Sequence, residues 1–462
     1  MSDYKDQQLD KLVNEVEADD DLVIDAVVET KRIVEMAAPE QPCDYQEWQA
    51  TVAEHFPDLQ FAAEICLSII AQILINDVTN PFALVLVDVP SAGKTITLNF
   101  FAGLDGLTYA TDKFTPAAFV SNAANVSKKK LAEIDLLPRI KNKGLIIRDF
   151  ATIFAKREDD LNDLLGTLTR VLDGEGLNTD SGVHGQRHLD GDYLFMMLAA
   201  STPVPPKVWK MMGSLGSRLF FLNLNSADKS DGELADQLGS TTYKDHERAC
   251  KEVTHRLLQT LWSSNPDGVD WQSDQDDREL KVIIARCARL LASLRGVVTT
   301  NTEYDDNHKE QQSYSSTIIE KPDRINQLLY NLSRGHAVAC GRRQLITADV
   351  RFAVELAMDS APTQRATLFR LLLENSGQLK TTEIEKLLDC SKPTASKMID
   401  QLGALKLCTV ERDSKGSVGG QDKIARLNVS LRWFLTDECQ VLRGKAPINK
   451  ENLTLWDASK EH

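Results

Sequence analysis

Between Phe82 and Phe101 the chain reads FALVLVDVPSAGKTITLNFF: six apolar positions in a row, a short run of small residues, then apolar residues at helical spacing. A continuous apolar run of this length suits a strand buried on both faces, and the second pattern suits an amphipathic helix. Comparable apolar runs recur at Leu145–Ile147, in YLFMMLAAS (193–201) and in LFFLNL (219–224). Glu158 to Gly174 places leucines at helical spacing. GVHGQRHLDGDYLF (182–195) reads as a polar hairpin whose second arm runs on into the strand YLFMMLAAS. Strands separated by helices and loops over 84–224 predict an α/β sheet with its ligand at the strand ends.

Different patterns flank this core. Residues 1–80 read as helical, through LDKLVNEV, LVIDAVVETKRIVEMA and FAAEICLSIIAQILI. From Ser226 the composition turns polar, and HERACKEVTHRLLQTLW, ELKVIIARCARLLASLRG, RINQLLYNLSRGHAVA and ADVRFAVELAMD predict an all-helical unit with loops at 263–277 and 299–314. From about Ala361 the order is helix, helix, helix, then a Gly-rich polar segment (DSKGSVGGQDK) between short strands, the layout of a winged helix-turn-helix. The expected organisation is a helical N-terminal segment (1–80), an α/β nucleotide-binding core (81–225), a helical lid (226–360), a winged helix-turn-helix (361–443) and a C-terminal tail (444–462). No internal repeat or low-complexity tract interrupts it.

Composition narrows the class. At 462 residues, 42% hydrophobic and 26% charged, the chain is long enough for two or three cores. No uninterrupted apolar run approaches a membrane span, and the acidic start MSDYKDQQLDKLVNEVEADDD does not read as a secretory signal, so a cytoplasmic protein is expected. The eight cysteines are scattered without a CxxC pair or a nearby histidine at ligand spacing, and read as reduced thiols. Through Glu40, acidic residues outnumber Lys and Arg by 12 to 4, which reads as a solvated face on packed helices. The net charge of −15 argues against indiscriminate nucleic-acid binding by the whole surface but leaves room for a local basic channel.

The candidate chemistry lies between the first strand and its helix. Asp88-Val-Pro90-Ser91-Ala92-Gly93-Lys94-Thr95 has the shape of a phosphate loop. Its backbone N–H groups and helix N-terminus cradle phosphates, Lys94 reaches the β/γ oxygens of ATP and Thr95 ligates Mg²⁺. Asp88 stands where the first glycine of such a loop belongs, and it is tolerable beside a triphosphate only if its carboxylate points away. The strand Leu145–Ile147 ends in Arg148-Asp149, where the usual pattern is Asp-Glu. Either Asp149 is the Mg²⁺-binding carboxylate and the catalytic glutamate is missing, or it takes the glutamate's place. The first is preferred, because one carboxylate can hold Mg²⁺ through water, with a base drawn from elsewhere such as Glu158–Asp160.

Taken together the motifs resemble an AAA+ ATPase, and within that group the minichromosome maintenance type helicases and their relatives on mobile elements. The likeness covers about 84–358. LGTLTRVLDGEGLNTDSGVHG is similar to the helix and hairpin after Walker B in that family, LAASTP to its sensor 1 strand, SLGSRLFFL to its arginine-finger motif and PDRINQLLYNLSRGHAVACGRRQLITADVRFAVEL to its lid. The resemblance implies that Thr202 orients the lytic water, Arg218 is the finger and Arg324 the sensor 2 arginine. Considered alone, Arg218 also fits a surface arginine before a core strand, Arg324 a lid salt bridge and Thr202 a helix N-cap. The family's N-terminal collar, with its oligonucleotide-binding barrel and zinc site, has no counterpart in the eighty residues before the core.

Further contacts to DNA are expected. The resemblance implies a basic residue on the hairpin before sensor 1, for which Arg187 and His188 are candidates, with Lys156 and Arg157 as weaker ones. Between Thr363 and Arg443 there are 13 Lys and Arg against 10 Asp and Glu, and Ser391, Lys392, Lys397, Lys415 and Lys423 occupy the recognition helix and wing, suited to phosphate and groove contacts. The leading expectation is a ring-forming ATPase, hexameric, acting on DNA as helicase or translocase. The alternatives are a nucleotide-dependent switch or DNA-binding regulator, and a remodeller of protein partners.

Overall fold

The computed structural model describes residues 33–121, 128–181, 185–216, 218–224, 226, 228–238, 242–304, 310–412 and 422–444. Among the described residues seven strands precede the helical unit that begins at Thr242. Five form one parallel sheet in the order β2 (Thr108–Thr111), β3 (Gly144–Ile147), β6 (Met196–Ser201), β1 (Phe82–Val87), β7 (Leu219–Asn223). Every residue of β1, β3 and β6 is buried. Because a strand alternates its faces, Ala83, Val85 and Val87 enter one core with Leu145, Met197 and Phe221. Phe82, Leu84 and Leu86 enter the other with Ile146, Met196 and Leu198. This two-sided burial is why the strands read as unbroken apolar runs.

Helices cover both faces. α1 (Tyr45–His55), α2 (Gln60–Ala71) and α3 (Lys94–Phe101) lie with the second core. α4 (Glu158–Val171) lies against the first through Leu161, Leu164, Leu165 and Leu168, joined by α5 (Pro206–Leu215) through Val208 and Met212. Glu158, Asp159 and Asp160 fill the first turn of α4 and Arg170 the last, matching the helix dipole at both ends. The helical stretch Pro57–Leu74 has the length and apolarity to cross a membrane, and it is mostly buried inside the protein.

Two expectations are corrected. The polar hairpin pairs β4 (Gly176–Ser181) with β5 (Gly185–Asp190), and its second arm stops before β6. β6 enters a buried parallel sheet, so an exposed polar arm cannot continue straight into it; the chain turns at Gly191, φ +115°. The 299–314 segment expected as a loop is largely an antiparallel hairpin, β8 (Val297–Tyr304) with β9 (Glu310–Ile318). Its Thr, Val, Ser and Tyr positions favour strands, but no apolar alternation reveals them. At the amino end, Ile33–Ala37 of the expected helix is irregular, and residues 1–32 fall outside the described set.

α6 (Thr242–Ser264), α7 (Arg278–Arg295), α8 (Asp323–Ala339) and α9 (Thr347–Asp359) form the helical unit. α8 lies against α2 closely enough that a Cβ at Gly335 would fall 2.0 Å from the Ser68 carbonyl oxygen. At the end of α9, the Ser360 hydroxyl accepts from the Phe221 N–H and donates to the Phe221 C=O, covering the open edge of β7. The last unit runs α10 (Thr363–Glu374), β10 (Gln378–Lys380), α11 (Thr381–Leu387), α12 (Lys392–Ala404), β11 (Cys408–Arg412), β12 (Lys423–Leu427). Its antiparallel sheet has the order β10–β12–β11. Arg370 ties this unit to Glu355 and Asp359 of α9, and Arg443 adds a second bond to Glu355.

Candidate nucleotide site

The parallel sheet has two chemically distinct edges. At the carboxyl edge, β1 passes through Asp88–Gly93 into α3. Gly93 adopts φ +86°, which favours glycine, and a Cβ there would sit 2.8 Å from Leu59 Cδ2, the flexible end of that side chain. Ser91 also lies in the left-handed region, at φ +68°. This turn wraps around Lys94, whose ammonium donates to the carbonyls of Asp88 (2.8 Å) and Val89 (2.5 Å). Burial pulls the Lys94 pKa below its ordinary value, with Asp88 opposing. Pro90, Ser91 and Thr95 are exposed and Ala92 is half-buried, so the hydroxyl at the start of α3 faces solvent.

Asp88 meets the condition set for it. One carboxylate oxygen accepts from the Val89 N–H at 2.7 Å; the other accepts from the N–H and hydroxyl of Ser226 at 3.0 and 2.7 Å. The acid pins the loop to the segment following β7. At the same edge, Asp149 follows β3 and is exposed, and its carboxylate has no ion pair among the described residues. Arg148 turns aside to Asp112, 2.9 Å away. Phe150, the next residue, is fully buried. Thr202 follows β6 and is exposed; it is not a helix cap, since Pro205 holds the N-cap of α5. Lys94, Thr95, Asp149 and Thr202 thus share one edge because their strands are parallel neighbours.

The opposite edge collects arginines. Arg218 precedes β7, whose Leu219 pairs with Ala83 near the start of β1. Its guanidinium makes two bonds to Asp173, at 3.1 and 3.3 Å, and is 12% exposed. Arg324 approaches the same Asp173 at 3.4 Å and is 50% exposed. Nothing in the local pattern singles out Asp173: it sits in the turn after α4, where Asp-Gly reads as a loop signal. The length of β1 and the loop separates these arginines from Lys94 by roughly 20 Å, at about 3.3 Å per strand residue. Neither arginine reaches its own chain's Lys94.

The expected DNA contacts divide. Arg187 bonds Asp135 at 2.5 Å and the Ser121 carbonyl, is 10% exposed, and ties the hairpin down to the body. His188, beside it, is exposed, 3.8 Å from Asp190. Lys156 lends its carbonyl to Lys207, and Arg157 is the N-cap of α4. In the last unit Ser391 caps α12 by accepting from the Thr394 N–H. Lys392 is paired with Asp422 at 2.6 Å and Lys423 with Asp400 at 2.5 Å, while Lys397 is exposed. Lys415 lies outside the described residues.

Among the described residues no cluster of three or more His, Cys, Asp or Glu is arranged to hold a metal. Thr95 and Asp149 fit Mg²⁺ arriving with a nucleotide, since this ion takes a few protein oxygens beside phosphate and water. No protein-family model matches the chain, and no curated protein matches it significantly.

Proposed function

We propose that the chain is an AAA+ ATPase that assembles into a ring, hexameric by its resemblance, and uses ATP with Mg²⁺ to act on DNA as a helicase or translocase. One observation carries this reading: the phosphate loop and the arginine pair occupy opposite edges of one sheet. A copy placed with its arginine edge against the carboxyl edge of the next completes a site that neither holds alone. A phosphate loop at the carboxyl end of a central parallel strand supports nucleotide binding.

In that site the α3 N-terminus and the loop N–H groups receive phosphate oxygens. Lys94 leaves its two carbonyls for the β/γ oxygens, Thr95 and Asp149 hold Mg²⁺, and Thr202 orients water. Arg218 and Arg324 leave Asp173 to meet the charge building on the γ-phosphoryl group of the neighbouring chain. The helix–helix–hairpin unit, read as a winged helix, offers Ser391, Lys392, Lys397 and Lys423 to DNA. Lys392 and Lys423 must first exchange their carboxylates for phosphates. A nucleotide-dependent switch is the second reading, favoured by the buried Phe150 in the place where a catalytic acid would follow Asp149.

The test is steady-state ATP hydrolysis with and without single- and double-stranded DNA, beside Lys94→Ala and Arg218→Ala. Loss in each variant, with recovery when the two are mixed, is expected of a shared site in a DNA motor. ATP binding without turnover, indifferent to DNA, selects the switch.

A further inference from the structure

Far from the sheet edges, the carboxyl end of α8 carries a second chemical constellation. Cys340 is the C-cap residue of α8, and its sulfur lies 3.6 Å from His336 Nε2, one turn earlier on the same helix. His336 Nδ1 is 2.5 Å from Asp349 Oδ1, and Asp349 also receives two bonds from Arg342, at 2.6 and 2.7 Å. Tyr45 O–H lies 3.2 Å from the same His336 Nε2. Thiol, imidazole and carboxylate therefore stand in line, with the carboxylate held by a fourth group. Nucleophilic sites are built on this geometry.

The electrostatics agree with the geometry. Burial disfavours charge on His336, but its bonds to Asp349 and Cys340 outweigh this and push its pKa above the ordinary value. Burial would likewise raise Asp349, yet the bonds from Arg342, His336 and the Ile346 N–H pull it below the carboxylate range. Arg342 is held by both oxygens of Asp349, which raise its pKa further. Six other cysteines are buried, and only Cys340 and Cys390 are partly open to solvent.

Cys340 also lines a cavity of about 390 Å³, walled by residues of α1, α6 and α8 and including Arg342 and Arg343. That volume suits a small molecule, and Arg343, bonded to the neutral Asn265 rather than to a carboxylate, favours an anionic one although Asp44 shares the wall. An acyl-transfer reaction would need an oxyanion site in addition. Displacement at sulfur needs only a thiolate, an acid for the leaving group and a seat for the electrophile.

We propose that Cys340 is a nucleophilic thiol that exchanges with small acidic disulfides, with His336 as its base and acid and Asp349 as the positioning residue. The Cys340 proton passes to His336, the sulfur attacks one sulfur of the disulfide, a new S–S bond forms as the old one breaks, and His336 protonates the departing thiolate. No further oxidant is consumed. This site is independent of the nucleotide reading.

The test uses the intact protein with oxidised glutathione, and with cystamine as a cationic disulfide, followed by peptide mass mapping over time. Cys340 is expected to form the mixed disulfide about tenfold faster than Cys390, the partly exposed thiol that serves as internal control. Glutathione disulfide should be favoured over cystamine at Cys340 but not at Cys390, and Arg343→Gln should erase that preference. His336→Gln should bring Cys340 down to the Cys390 rate. Equal rates at Cys340 and Cys390 in the unsubstituted protein overturn the proposal whether or not the histidine variant folds, as does an unchanged Cys340 rate in a folded His336→Gln protein.

Discussion

The two edges of the parallel sheet differ in what restrains their charges. At the carboxyl edge Lys94 is held only by backbone carbonyls, and Asp149 and Thr202 are exposed. At the amino edge Arg218 and Arg324 are both held by one carboxylate, Asp173. An ammonium bound to carbonyls is released to phosphate cheaply, whereas an arginine leaving a carboxylate must gain something of equal charge. On the proposed reading the carboxyl edge receives an anion unaided, and the amino edge responds only when one is brought to it.

This contrast can be broken most directly by hydrolysis. Arg218→Ala should lower the ATPase rate about 10³-fold, the scale of a lost arginine finger, while ATP binding by the single chain, followed by fluorescence or calorimetry, is retained. Lys94→Ala should remove both. If Arg218→Ala also abolishes binding by the separate chain, the two edges are not the halves of different sites.

Stability separates the arginines from one another. Arg187→Ala strands Asp135, which is fully buried, and should cost about 3–5 kcal/mol in urea unfolding. DNA affinity per folded molecule should stay unchanged. A clear loss of DNA binding without a loss of stability would return Arg187 to the channel. Asp173→Asn leaves its arginine partners Arg170, Arg218 and Arg324 partly solvated and should cost less, about 1–2 kcal/mol, and by loosening Arg218 and Arg324 it should raise rather than lower ATPase activity.

The smallest effect concerns the loop itself. Because burial depresses the Lys94 pKa, folding disfavours its protonated form, and stability rises as pH climbs through the folded value toward the unfolded one. Lys94→Met should thus be as stable as the unsubstituted protein or slightly more so at neutral pH. Its advantage should shrink toward pH ~10, where the free lysine titrates. Thermal melts across that range check the sign; a variant less stable at neutral pH would mean the two carbonyl bonds outweigh the burial.

Much of this was legible in the chain. The strand β1, the glycine at Gly93, the lysine after it and the helix α3 follow from apolar run and turn chemistry, because each is a local constraint. The α4 leucines and the helix–helix–hairpin order of the last unit were equally plain. The hairpin β8–β9 was not, since its polar arms carry no burial signal and its pairing is the only evidence of strand. The true arms of β4–β5 were missed for the same reason.

Residue types and their spacing marked the turn between β1 and α3 as the candidate phosphate loop, for a loop of this kind is made by six or seven consecutive residues. Only the tertiary structure decided what the charged groups are for. Asp173 took Arg218 and Arg324, Asp135 took Arg187, Asp88 turned to Ser226, and His336 met Asp349 and Tyr45 across three elements. A charge's role depends on which opposite charge lies within a few ångströms and how much water reaches both. Those partners come from distant parts of the chain, so no spacing along it records them.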